Sequence, residues 1–78
     1  MIKFISMIQA ILFRKNKWTL KSAKAYLKTK KINYISYRTT DMYYRFRIVE
    51  PDYNKYHYKI ERNFLNNPNI DYINYFFK

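Results

Sequence analysis

The sequence predicts a single α+β domain in which one amphipathic helix packs on a four- to five-stranded antiparallel sheet, in the order β-α-β-β-β-β. Three observations carry that prediction. Apolar residues recur at helical spacing behind one good N-cap, and the four stretches that follow alternate with period two. The segments between them are built from Asn, Asp, Thr and Pro, the turn formers left to a chain without glycine. All 78 residues read as one small domain, whose core alone rarely supplies more than ~3–5 kcal/mol.

The opening stretch, residues 1–13, is apolar with one lysine. It is too short to span a bilayer, and no small-residue cleavage site precedes the basic run Arg14-Lys15-Asn16-Lys17, so neither an anchor nor a signal peptide is expected. Phe4, Ile5, Ile8, Ile11 and Leu12 fall at helical spacing, whereas Ile and Phe favour a strand and alternation is acceptable from Ile8 to Arg14. Periodicity leaves both readings open. Residues 1–7 either extend this element or form a separate N-terminal extension.

The helix comes next, over about 20–31. Thr19 is its N-cap, Trp18 before it can staple onto Ala23, and Leu20, Ala23 and Leu27 form one apolar stripe. Lys28, Lys30 and Lys31 suit the negative end of the helix dipole. Lys21, Lys24, Lys28 and Lys31 share a band roughly 100° around from the stripe.

Strands are expected over 34–39, 42–50, 55–62 and 70–77, with turns at Thr40-Asp41, Pro51-Asp52 and Asn66-Asn67-Pro68-Asn69. In the second of these, Tyr44, Phe46 and Ile48 oppose Tyr43, Arg45, Arg47 and Val49. In the third, Tyr56, Tyr58 and Ile60 oppose Lys55, His57, Lys59 and Glu61. One apolar face under the helix and one basic, aromatic face in water is the antiparallel pattern expected. The last strand, with Tyr72, Tyr75, Phe76 and Phe77, is apolar on both sides, which suits either the closing of its own core at an edge or a contact with a protein partner or second copy.

Sixteen basic residues against five acidic give a net charge of +11 and direct attention to anionic partners. Composition alone is a weak argument, because Lys, Asn, Ile, Tyr and Phe fill 45 of the 78 positions and are written in A- and T-rich codons. Placement says more. Ten basic residues and no acid precede Asp41, and the strand Tyr43-Tyr44-Arg45-Phe46-Arg47 interleaves rings with guanidinium groups, as single-strand binders do. The candidate nucleic-acid-binding residues are Lys21, Lys24, Lys28 and Lys31 on the helix flank with Arg38, Tyr43, Arg45 and Arg47 on the sheet. That reading requires them to share one surface, or an oligomer that creates one. The plainer reading makes the lysines a solvated flank and pairs Arg45 and Arg47 with Glu61 or Asp41.

Catalysis is not expected. Without Cys or Gly there is no thiol nucleophile, thiolate metal site, P-loop or dinucleotide fingerprint. His57 stands alone, and Glu50-Pro51-Asp52 followed by Glu61-Arg62-Asn63 lacks the lysine of a restriction-type nuclease. No catalytic residue, metal or cofactor is therefore assigned.

Lys17-Trp18-Thr19-Leu20, then Ala23-Lys24-Ala25-Tyr26-Leu27-Lys28, then Tyr43-Tyr44-Arg45-Phe46-Arg47 and Pro51 together resemble a small module that recurs in large DNA viruses of eukaryotes and in tailed phages. The resemblance covers roughly residues 8–62. It implies a viral source, location in an infected cell or a virion, and a strand-helix-strands fold, but no mechanism. The expected function is that of a non-enzymatic viral accessory protein binding DNA or RNA. The alternative is a small virion structural or assembly protein, with a membrane-surface role through residues 1–17 ranked below both.

Overall fold

The computed structural model describes residues 7–78. It comprises strand β1 (Ile8–Arg14), helix α1 (Leu20–Thr29), and strands β2 (Ser36–Thr39), β3 (Tyr43–Arg47), β4 (Tyr56–Glu61) and β5 (Ile70–Phe77). The five strands form one antiparallel sheet in the order β2-β3-β1-β5-β4, so the fold is α+β with a single helix on a sheet. Of the two readings for the opening stretch, the strand holds from Ile8 onward; the question of an N-terminal extension lies outside the described residues.

β1 is central because it is the most completely apolar segment. Ile8 through Phe13 are all buried, and Ile11 and Phe13 meet Phe46, Ala23, Leu27, Ile32, Phe64 and Ile70 in one cluster. Edge-to-face ring pairs reinforce it, with Phe13 5.0 Å from Trp18, 5.7 Å from Tyr26 and 5.5 Å from Phe46 between centroids. A register shift between Ile8 and Ala10 leaves buried Gln9 out of step, and its amide nitrogen donates to the Val49 carbonyl at 3.0 Å.

Thr19 caps α1 as expected, through a reciprocal pair: its hydroxyl accepts from Ser22 N–H at 3.0 Å while Thr19 N–H donates to the Ser22 hydroxyl at 2.9 Å. The helix ends two residues before 31. Lys31 takes a left-handed conformation (φ 59°), its N–H bonds the Lys28 carbonyl, and Ile32 N–H bonds the Leu27 carbonyl, which is a Schellman ending with Leu27 and Ile32 both in the core. Lacking glycine, the chain places a lysine where glycine would be favoured.

The expected last strand matches β5, while the other three are shorter than the sequence pattern because their ends enter turns. β5 is interior, paired with β1 and β4; the edges are β2 and β4. Before it, the Asn-rich turn holds Asn63, Leu65 and Asn66 at positive φ and drives Phe64 into the core against Tyr72, 5.5 Å away. No helix among the described residues is long and apolar enough to cross a membrane.

Candidate functional site

Antiparallel registers assign every strand residue to a face. Ile11 faces Phe46 and Tyr72, and Phe13 faces Tyr44 and Ile70, so these lie on the side that the helix covers. On the opposite face, open in that the helix does not cover it although Ala10, Leu12 and Asp71 at its centre are buried by their neighbours, Arg38 stands across from Arg45, Arg45 from Leu12, and Leu12 from Asp71. The next row reads Ser36, Arg47, Ala10, Ile73, Ile60, and Arg14 stands across from Tyr43 at the other end.

The basic residues are sorted by type. Every one that a described strand presents on the open face is an arginine: Arg14, Arg38, Arg45 and Arg47. The single lysine within a strand, Lys59, is on the helix side beside Glu61, and α1 carries lysine only. A bias toward A and T would favour lysine everywhere, so composition does not explain the sorting. Arginine differs from lysine in presenting a rigid planar fork of donors that matches two phosphate oxygens at once.

Not all four arginines are free for a ligand. Asp71 is 2% exposed, and its carboxylate accepts from Arg14 Nε and Nη2 at 3.2–3.3 Å and from the Tyr43 hydroxyl at 2.7 Å. That is a charge held out of water by three donors, as burial demands. The Tyr43 phenol is pushed above its ordinary value, first by donating to Asp71, then by burial and the Asp71 charge, against the opposing pull of Arg14 and Arg62. Tyr43 is thus committed to internal structure, and its hydroxyl is not available to a ligand.

Arg47 Nη1 lies 3.3 Å from Glu50, whose side chain is exposed, a loose pair of small worth. Neither Arg38 nor Arg45 has an acidic partner among the described residues. The plainer pairing with Glu61 or Asp41 is not found: Glu61 is on the other face with Lys59, and Asp41 makes no ion pair among the described residues. Two like charges at directly opposed strand positions are mutually destabilising.

The helix lysines are elsewhere. Lys21, Lys24 and Lys28 lie on the helix side of the sheet, with Lys24 Nζ 4.3 Å from the centroid of Tyr37, a β2 ring stacked on Phe46. Lys31 has left the helical band altogether. Lys21, Lys24 and Lys28 therefore lie on one side of the sheet and Arg38, Tyr43, Arg45 and Arg47 on the other, with Lys31 beyond the helix end in neither set.

β4 brings the largest departure from the sequence pattern. Tyr56, Tyr58 and Ile60, expected under the helix, pair with Phe77, Tyr75 and Ile73 and lie on the open face with the arginines. Alternation separates two faces without saying which is inward; register against β5 decides, because Glu61 pairs with Tyr72 on the helix side. The rings are in contact, Tyr56 being 4.8 Å from Tyr75 and 5.1 Å from Phe77, and Tyr53 5.1 Å from Tyr58. Tyr58 is anchored by its hydroxyl, which accepts from Asp52 N–H. Burial, with the neighbouring Tyr56 and Tyr58 phenols, raises the Tyr75 phenol above its ordinary value.

Tyr53, Tyr56 and Tyr58 thus join the arginine face without having been singled out from the sequence, which offered only Phe77 of this group, as a partner contact. One signal for this face was the use of arginine at alternate strand positions in a lysine-rich chain. At the end of the same face a cleft of about 440 Å³ opens between Arg14, Lys15, Tyr43 and Arg62. No three His, Asp or Glu side chains among the described residues are grouped to hold a metal. Comparison with protein-family models, curated proteins and solved structures finds no match for the chain.

Proposed function

We propose that this chain is a non-enzymatic accessory protein, viral as its sequence resemblance implies, that binds nucleic acid through the open face of its sheet. The observation that carries the reading is the opposed, unpaired couple Arg38 and Arg45 on a face where every strand cation is arginine. Phosphodiester oxygens supply what that couple lacks, and Arg47 can exchange its exposed Glu50 for a third phosphate. The helix lysines add long-range attraction but face away from the bound strand.

Fluorescence anisotropy with mixed-sequence oligonucleotides across a salt series tests this. Affinity tighter than about 100 μM at low salt is expected, with log affinity falling against log salt at a slope of about −2 to −3 for three phosphate contacts. Absence of binding at low salt contradicts it.

A second reading has its own observation. Phe77 (68% exposed), Tyr53 (67%) and Ile60 (60%) leave apolar surface at the β4 end of the sheet, which a protein partner or second copy could cover in an assembly role. Light scattering separates the two, since a tight oligomer without nucleic-acid affinity favours assembly.

A further inference from the structure

The arginines occupy only one half of the open face. The other half, on β4, β5 and the turn before β4, is a sheet of rings: Tyr53, Tyr56, Tyr58, Tyr75 and Phe77. The two halves adjoin. Arg47 shares a row with Ala10 and Ile73, and Tyr75 is two residues beyond Ile73 on β5, so strand spacings put these backbones about 12 Å apart. Glu50 and Asp52 are the acids at this boundary, and Glu50 is already paired to Arg47.

A duplex can offer phosphates to such a face but no base planes, because its bases are stacked on one another. A single strand offers both. Charge alone also predicts the opposite order, since a duplex has the higher charge density and releases more counterions per contact. Selectivity for single strands would therefore have to come from the rings.

Resting on the proposal that the open face binds nucleic acid, we infer that it selects single-stranded over duplex nucleic acid, with phosphates on Arg38, Arg45 and Arg47 and bases stacked on Tyr53, Tyr56, Tyr58 and Phe77. The rings are prepared for this. Tyr58 is tethered to the 52–55 turn through Asp52, and Tyr56 and Phe77 brace each other, so little side-chain freedom is lost when a base arrives.

The test measures the full chain against a 12-nucleotide single strand and the blunt duplex of the same sequence, at equal ionic strength. The single strand is expected to bind at least tenfold more tightly. The double variant Tyr53→Leu/Phe77→Leu, which changes two exposed rings and leaves the core untouched, is expected to lose about tenfold for the single strand and to keep its duplex affinity, the latter also reporting that the variant is folded. Equal or tighter duplex binding overturns the inference while the nucleic-acid reading survives, whereas no binding to either ligand overturns both. Unchanged single-strand affinity in the double variant also overturns it, as does a concentration-dependent dimer that dissociates in that variant, which would assign the rings to a second copy.

Discussion

Arg38 and Arg45 face each other across neighbouring strands with no acidic partner among the described residues, while on the next strand Arg14 is locked to buried Asp71. The same residue type on the same face therefore does two jobs. One arginine neutralises the protein's own buried charge, and the other two have no acidic partner among the described residues.

This arrangement predicts opposite effects of one substitution on stability and binding. Arg38→Gln or Arg45→Gln relieves cross-strand repulsion and is expected to stabilise the free protein by about 0.2–0.5 kcal/mol in thermal unfolding. Each should also weaken oligonucleotide binding about fivefold and reduce the salt slope by about 0.7 on a single strand.

The helix lysines provide the converse. Because α1 lies behind the sheet, replacing Lys21, Lys24 and Lys28 together by Gln is expected to lower affinity less than threefold at physiological salt, where the screening length is about 8 Å. Anisotropy at 150 mM salt checks it, and a loss larger than that of the Arg38/Arg45 double variant would move the interface to the helix.

Tyr43 links pH to stability. Its phenol is held above the ordinary value, so above pH 10 the unfolded chain loses this proton while the folded chain keeps it, and stability falls as pH rises. Below pH 10 the contribution is fully present. Tyr43→Phe removes a hydrogen bond to a charged group, costing about 1.5–3 kcal/mol at pH 7, and should make the alkaline decline shallower in urea melts run from pH 8 to 11. Tyr26 and Tyr75, raised chiefly by burial, leave part of that decline in place.

Lys31→Gly is expected to stabilise the protein by about 0.5–1 kcal/mol in urea unfolding, because the left-handed Schellman position favours a residue without Cβ. A loss of stability there would contradict the assigned helix ending.

Much of the fold was legible because local chemistry and tertiary structure agree. Thr19 before an apolar stripe marks a helix start, and the alternation through Tyr43 to Arg47 separates Phe46 in the core from Arg45 on the open face. Three features were not legible. The helix ends earlier than the sequence suggests because Lys31 takes a conformation that signals itself through glycine, and this chain has none. The apolar side of β4 reads as a core side from sequence because alternation has no sign, and only pairing with β5 turns Tyr56 and Tyr58 outward. Asp71 and Arg14 lie 57 positions apart, with no local pattern to join them. The candidate site was half visible for the same reason: Arg38, Arg45 and Arg47 are local to a hairpin, while the rings beside them arrive from the far end of the chain.

NMR of the arginine side chains reads directly whether the arginine face of the sheet is the nucleic-acid interface. The chain has five arginines, each with one Nε–Hε signal, and a 12-nucleotide single strand can be titrated while those signals and the α1 backbone amides are followed. Shifts at Arg38, Arg45 and Arg47, with the amides of Leu20–Thr29 unmoved, are the predicted result. Shifts confined to the helix amides, with the arginine signals unchanged, would contradict it.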